Sequence, residues 1–132
     1  TALPEPVRSE RNETVLVVED EPIVRDLVVE VLGELGYRTV EAQDGLSGLE
    51  VVRSNARIDL LVTDVGLPGL NGRLLADQAR SLRPGLKVLF MTGYAENALF
   101  GGGRLDPDMQ MITKPFPVEL LAARIREMIE HS

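Results

Sequence analysis

Short apolar runs alternate with longer amphipathic stretches along this chain. Thr14–Val18, Ile58–Thr63, Leu86–Met91 and Met109–Thr113 are too short for helices and are bounded by turn residues. They read as strands, and the most apolar of them as strands buried on both faces inside a parallel sheet. Tyr37–Ala42 reads as a further strand, second in chain order. Between the strands, apolar residues recur at three- and four-residue steps, the signature of one helix face. Ile23, Leu27, Val28, Val31, Leu32 and Leu35 form such a face. Pro22 suits its first turn, the acids Glu19–Glu21 are expected as its caps, and Gly36 stops it. Asp44-Gly45 opens a short helix to about Asn55 carrying Leu46, Leu49, Val51 and Val52. Asn71 caps a third helix with Leu74, Leu75, Ala79 and Leu82, which Pro84-Gly85 ends.

The interval after the fourth strand is weaker. Tyr94–Phe100 allows two helical turns at most before Gly101-Gly102-Gly103, where each Gly costs about 1 kcal/mol against Ala in a helix. A mobile segment is expected over Gly93–Gly103. A last helix runs from about Val118 to Glu130. Its apolar face is Leu120, Leu121, Ala123, Ile125, Met128 and Ile129, with the stem of Arg124. Strand and helix thus alternate five times. Short connections in such an alternation imply parallel strands, right-handed crossovers and helices on both faces, an α/β doubly wound sandwich. Thr1–Glu13 has no periodicity and is rich in Pro, Glu and Arg. It reads as a linker or tail before one domain over residues 14–131.

Composition narrows the chemistry. The chain has 132 residues, 44% hydrophobic and 27% charged, which suits one globular domain. Cys is absent and the single His131 stands next to last, so a metal here must be held by oxygen, as Mg²⁺, Mn²⁺ or Ca²⁺ are. The net charge of −7, without a basic run, argues against direct contact with nucleic acid. No apolar run approaches membrane-spanning length, so no membrane contact by this domain and a cytoplasmic location are expected. No dinucleotide fingerprint follows the first strand and no P-loop occurs. Thr1 is not a start Met, so the chain is expected to be a segment of something longer.

The candidate chemistry lies where the strands stop. Glu19 and Asp20 follow the first strand, Asp64 the third, Thr92 the fourth and Lys114 the fifth. The C-terminal ends of parallel strands share one edge, where open α/β sheets bind their ligands. Taken singly, each residue has a plain structural reading: Asp64 as a loop N-cap, Glu19–Glu21 as helix caps, Thr92 as a strand end, Lys114 as a solvated loop residue. Together they are specific. Three acids at one edge repel each other unless a cation sits among them, and carboxylates without His or Cys select Mg²⁺ or Mn²⁺. A Lys and a hydroxyl beside them offer a phosphoryl group a positive charge and a donor. A carboxylate in such a site could attack a phosphoryl donor and become an acyl phosphate.

Four motifs carry a resemblance: Val17-Val18-Glu19-Asp20-Glu21-Pro22, Thr63-Asp64 with Leu67-Pro68-Gly69-Leu70-Asn71-Gly72, Met91-Thr92-Gly93-Tyr94, and Lys114-Pro115-Phe116. With them the chain resembles, from roughly Glu13 to Glu130, a receiver domain of bacterial two-component response regulators and hybrid histidine kinases. The resemblance implies a flavodoxin-like (βα)5 sandwich with sheet order 2-1-3-4-5. It implies that Asp64 is phosphorylated by a histidine kinase or histidine phosphotransfer domain, and that Asp20, Glu19, Asp64 and the backbone carbonyl of Gly66 hold Mg²⁺. Thr92 and Lys114 would bind the phosphoryl oxygens, Lys114 would pair with Asp64 beforehand, and the Lys114–Pro115 bond would be cis.

Two departures stand out. The family often has Tyr or Phe three residues before the Lys, and here the position is Met111, which excludes an aromatic rotamer switch there. The weak fourth helix leaves short or mobile the face that the family uses for output, built from the fourth helix, fifth strand and fifth helix. Gly66 and Tyr94 stand two residues after Asp64 and Thr92, where the family lines the path of attacking water. A glycine that orients no water and a covering ring imply slow self-dephosphorylation, unless Tyr94 packs away from the site. The expected parent is a hybrid sensor histidine kinase, with a stand-alone regulator as the alternative. The rivals are a degenerate receiver used only for interaction and a small phosphatase. The first is opposed by intact Asp64, Thr92 and Lys114, the second by Gly66 where a second acid is needed.

Overall fold

The computed structural model describes residues 13–93 and 108–130. Its elements follow the chain as β1 (Thr14–Val18), α1 (Pro22–Glu34), β2 (Arg38–Ala42), α2 (Gly45–Arg53), β3 (Leu60–Asp64), α3 (Gly72–Leu82), β4 (Lys87–Thr92), β5 (Met109–Thr113) and α4 (Val118–Glu130). The five strands form one parallel sheet in the order β2-β1-β3-β4-β5, as the resemblance implies. The expected helix at Tyr94–Phe100, the mobile Gly93–Gly103 segment beyond Gly93 and residues 1–12 of the expected tail lie outside the described residues. Glu13 is buried, and its carbonyl accepts the Arg38 N–H, so pairing with β2 begins there.

β1 and β3 are buried at every position, as central strands with helices on both faces must be. Their side chains alternate between two cores. Val15, Val17, Leu60, Val62, Leu89 and Met91 meet α1 and α4 on one face. Leu16, Val18, Leu61, Val88 and Phe90 meet α2 and α3 on the other. β3 starts two residues later than the apolar pattern suggests and ends one later. Asp64 is therefore its last residue, paired in register with Met91.

Several expected core positions are exposed. Ile23 is 85% and Leu46 66% exposed, and Leu27, Leu74, Leu82 and Leu120 also face solvent, as does Ala123. Their places are taken by Val24, Gly45, Gly48, Ala76 and Ala122. Small residues serve because α2 and α3 lie close to the sheet. A Cβ on Gly48 would come within 2.9 Å of Val18 Cγ2. Gly36, at φ 88°, follows α1 in the left-handed region as the sequence suggests. Among the described residues, no helix is long and apolar enough to cross a membrane.

Candidate functional site

Glu19 sits at the mouth of β1 and is fully buried. Four of its atoms are engaged. Its N–H donates to the Ala42 carbonyl at 3.1 Å, which ties the turn to β2. Its carbonyl accepts from Arg25 Nη1 at 2.8 Å. Its Oε2 accepts from the Glu21 N–H at 3.1 Å, and its Oε1 from Lys114 Nζ at 3.2 Å. The expected capping by the acids is thereby corrected. Glu21 occupies the N-cap position of α1 but its side chain makes no cap, and the Glu19 carboxylate instead accepts from the Glu21 N–H just before the helix. Asp20, next along, is exposed.

Asp64 is buried at the tip of β3, with its Oδ1 3.1 Å from Lys114 Nζ. The Gly66 N–H reaches back toward the same oxygen at 3.4 Å. Lys114 follows β5, and its own N–H donates to the Thr92 carbonyl at 2.8 Å, so the tips of β4 and β5 are joined. The Lys114–Pro115 bond is cis. Thr92 is buried and its hydroxyl donates to the Gly93 carbonyl at 3.0 Å. Met111 is partly buried against the α2/α3 core. Tyr94, the expected cover of the site, lies outside the described residues.

The loop after Asp64 is held by close packing. Asn71 caps α3 as expected, its side chain accepting from the Leu74 N–H at 2.9 Å. At Gly72 the helix touches the strand it came from: a Cβ there would lie 2.2 Å from the Asp64 carbonyl oxygen. At Gly45 the start of α2 touches the same loop, and a Cβ would lie 2.2 Å from the Leu70 carbonyl oxygen. Side chains are excluded at both points by backbone, which cannot swing aside.

The electrostatics follow from the burial. Burial pushes the Glu19 carboxyl up to about 7 and the Asp64 charge adds to the rise, while the Glu21 N–H and Lys114 oppose it. Burial alone would lower Lys114, but the charges of Glu19 and Asp64 together outweigh it and hold the ammonium above its ordinary value. Glu19, Asp20 and Asp64 each place one carboxylate oxygen within 4.8 Å of the others. Among the described residues the cation paired with Glu19 and Asp64 is Lys114, while the nearby Arg25 guanidinium is turned to the Glu19 carbonyl and Glu41. A site of hard oxygen donors short of positive charge fits a small divalent cation.

The geometry thus brings Glu19, Asp20, Asp64 and Lys114 into one cluster, with Gly66 exposed beside Asp64 and Thr92 joined through the Lys114 backbone. Two features were not legible in the sequence. One is that Lys114 binds Glu19 as well as Asp64, across 95 residues. The other is Arg25, because an arginine in a first helical turn ordinarily reads as a solvated charge.

Residues 15–126 match the model of the response regulator receiver domain. The chain is 36% identical over 118 residues to sensor kinase CckA of Brucella abortus, which covers 89% of this chain but 12% of that protein. It is 31% identical over 115 residues to response regulator receiver protein CpdR of Brucella abortus, 87% of this chain and 95% of that one. Among solved structures, the receiver domain from hybrid histidine kinase CckA superposes with a TM-score of 0.74 at 31% identity, covering 88% of this chain and 98% of that one. A matched family pattern over most of its length, on a sheet of the expected order, means that this chain belongs to the response regulator receiver domains of two-component signalling.

Proposed function

We propose that Asp64 is the phosphoacceptor of a phosphorelay. An Asp64 carboxylate oxygen attacks the phosphorus of a phosphohistidine on a histidine kinase or phosphotransfer partner. The P–O bond forms as the P–N bond breaks, and the electron pair leaves on the imidazole nitrogen, which takes up a proton. The observation that carries this reading is Lys114 Nζ, 3.1 Å from Asp64 Oδ1 and 3.2 Å from Glu19 Oε1. One ammonium shared by two buried carboxylates is positioned to follow the charge as it moves onto phosphoryl oxygens. Thr92, at the next strand tip, supplies a hydroxyl donor. Asp20, Asp64, Glu19 and the Gly66 carbonyl would hold Mg²⁺ or Mn²⁺, which supplies charge neutralisation at the phosphoryl oxygens.

Phosphorylation adds about two negative charges at this edge. It shifts an equilibrium between two arrangements of the domain by as much as the phosphoryl group prefers one of them. We read residues 14–131 as the receiver unit, residues 1–13 as its lead-in, and the setting as cytoplasmic. Similarity to sensor kinase CckA supports a parent hybrid histidine kinase. The near-complete coverage of CpdR supports the stand-alone alternative.

Incubation with acetyl phosphate and Mg²⁺ tests the reading. A hydroxylamine-labile acyl phosphate is expected in the native protein and none in Asp64→Asn. Label that survives the substitution and moves to Asp20 would remove Asp64 from the role.

A further inference from the structure

We propose that Arg25 is a positioning residue for the acidic site, acting through the Glu19–Asp20 peptide. Asp20 is exposed, so its carboxylate is placed by the backbone beneath it. That backbone is one peptide unit, the Glu19 carbonyl and the Asp20 N–H. Arg25 Nη1 grips the carbonyl of this unit at 2.8 Å. The other edge of the guanidinium lies against β2, with Nε 3.4 Å from Glu41 Oε1. Glu41 is paired in register with Val17, one residue before the end of β1. The planar fork is thus strung between strand and turn, and two contacts on a rigid plane fix an orientation where one would not.

The helix that carries Arg25 does not depend on it. α1 is anchored by Val28, Val31 and Leu32 in the core, and the Arg25 N–H already closes the first turn on the Glu21 carbonyl at 2.9 Å. What the side chain adds is the plane of the Glu19–Asp20 peptide. That plane sets where Asp20 stands relative to Asp64, and which way the Glu19 carboxylate enters the site. A group that orients ligands from outside the ligand set commonly changes metal affinity by about tenfold or more when removed.

The test compares Arg25→Gln with Glu41→Gln. The first breaks the grip on the Glu19 carbonyl, and the second removes the negative charge beside Nε but keeps an amide oxygen there, so that both contacts of the fork stay in place. In metal-free buffer, the Asp20 amide nitrogen reports directly on a hydrogen bond to the carbonyl of its own peptide. Its NMR signal should move strongly in Arg25→Gln and little in Glu41→Gln. Mn²⁺ affinity, read by electron paramagnetic resonance on the unphosphorylated protein, should fall about tenfold in Arg25→Gln and by less than about threefold in Glu41→Gln. Circular dichroism checks that each variant is folded. Arg25→Lys, which keeps the charge but loses the fork, gives the same comparison if the Gln variant does not fold.

An unmoved Asp20 amide overturns the proposal. A moved amide with Mn²⁺ affinity within about twofold of native overturns the link to the acidic site. The metal assignment of the proposed function, on which the affinity readout rests, fails separately: native protein that binds no Mn²⁺ would sink it, while the amide would still decide whether Arg25 sets this peptide.

Discussion

The two corners that carry the acids are built in opposite ways. The turn after β1 is held by polar contacts: Glu19 alone engages Ala42, Arg25, Glu21 and Lys114. The loop after β3 is held by backbone packed on backbone, with Gly72 against the Asp64 carbonyl and Gly45 against the Leu70 carbonyl. The first corner is a set of hydrogen bonds and charges that can be weakened one at a time. The second is a steric fit, which fails when a single carbon is added. The corner that presents the proposed phosphoacceptor is therefore the one that tolerates least added volume, and the corner that carries Asp20 is the tunable one.

The sharpest way to break this comparison is Gly72→Ala. The new Cβ has no free space, so α3 or the end of β3 must shift. A loss of about 3 kcal/mol is expected by urea unfolding, toward the upper end for overpacked sites. An unchanged midpoint would show that the β3 corner yields as readily as the other. The β1 corner should instead show itself through pH. Burial holds the folded Glu19 carboxyl up at about 7, against an ordinary 4.5. The folded chain then binds more protons than the unfolded chain between those values. This contribution to stability is full below pH 4.5 and is lost as pH rises through 7. In buffer containing EDTA the loss should be about 2 kcal/mol, and Glu19→Gln should flatten it. Urea midpoints at pH 5 and pH 8 measure this, and equal slopes in both proteins would dismiss Glu19 as the source.

Smaller effects sharpen the contrast. Asn71→Ala removes the one side-chain cap of α3 and should cost about 1 kcal/mol, much less than the methyl at the neighbouring Gly72. Gly33→Ala should go the other way, because a Cβ there meets nothing within 4 Å and the helix gains from a stiffer unfolded chain. A gain of about 0.5 kcal/mol in the urea midpoint is expected. A loss instead would mean that adding a carbon to a glycine of this protein is costly wherever it is placed.

Much of this architecture is written locally in the chain. Strands such as Leu60–Asp64 are legible because apolar runs are cut short by acids and glycines, and those same acids mark the site. The Asn71 cap is legible because its partner lies three residues away. The helix faces are less legible, since counting apolar residues cannot see that Gly48 and Ala76 face the sheet and that Gly45 faces the loop after β3. There, closeness rather than hydrophobic bulk decides, and Leu46 and Leu74 are left outside. The Lys114–Glu19 pair arises only when the tips of β1 and β5, with β3 and β4 between them, share one edge of the sheet, and Arg25 is strung from the Glu19 carbonyl to Glu41 only when β2 lies beside β1. No spacing in the sequence encodes them.

α4 carries a consequence of its own. Its first turn lies just past Lys114 at the acidic edge. Its last turn meets the opposite edge, where Lys87, at the start of β4, donates to the Met128 carbonyl. Thirteen residues of helix make a strut of about 20 Å between the two. β1 starts from the far edge as well, since it runs parallel to β4. Thr14 and Glu130 therefore lie on the side away from the acids. Whatever reaches Asp64 at the front edge meets neither of these two residues.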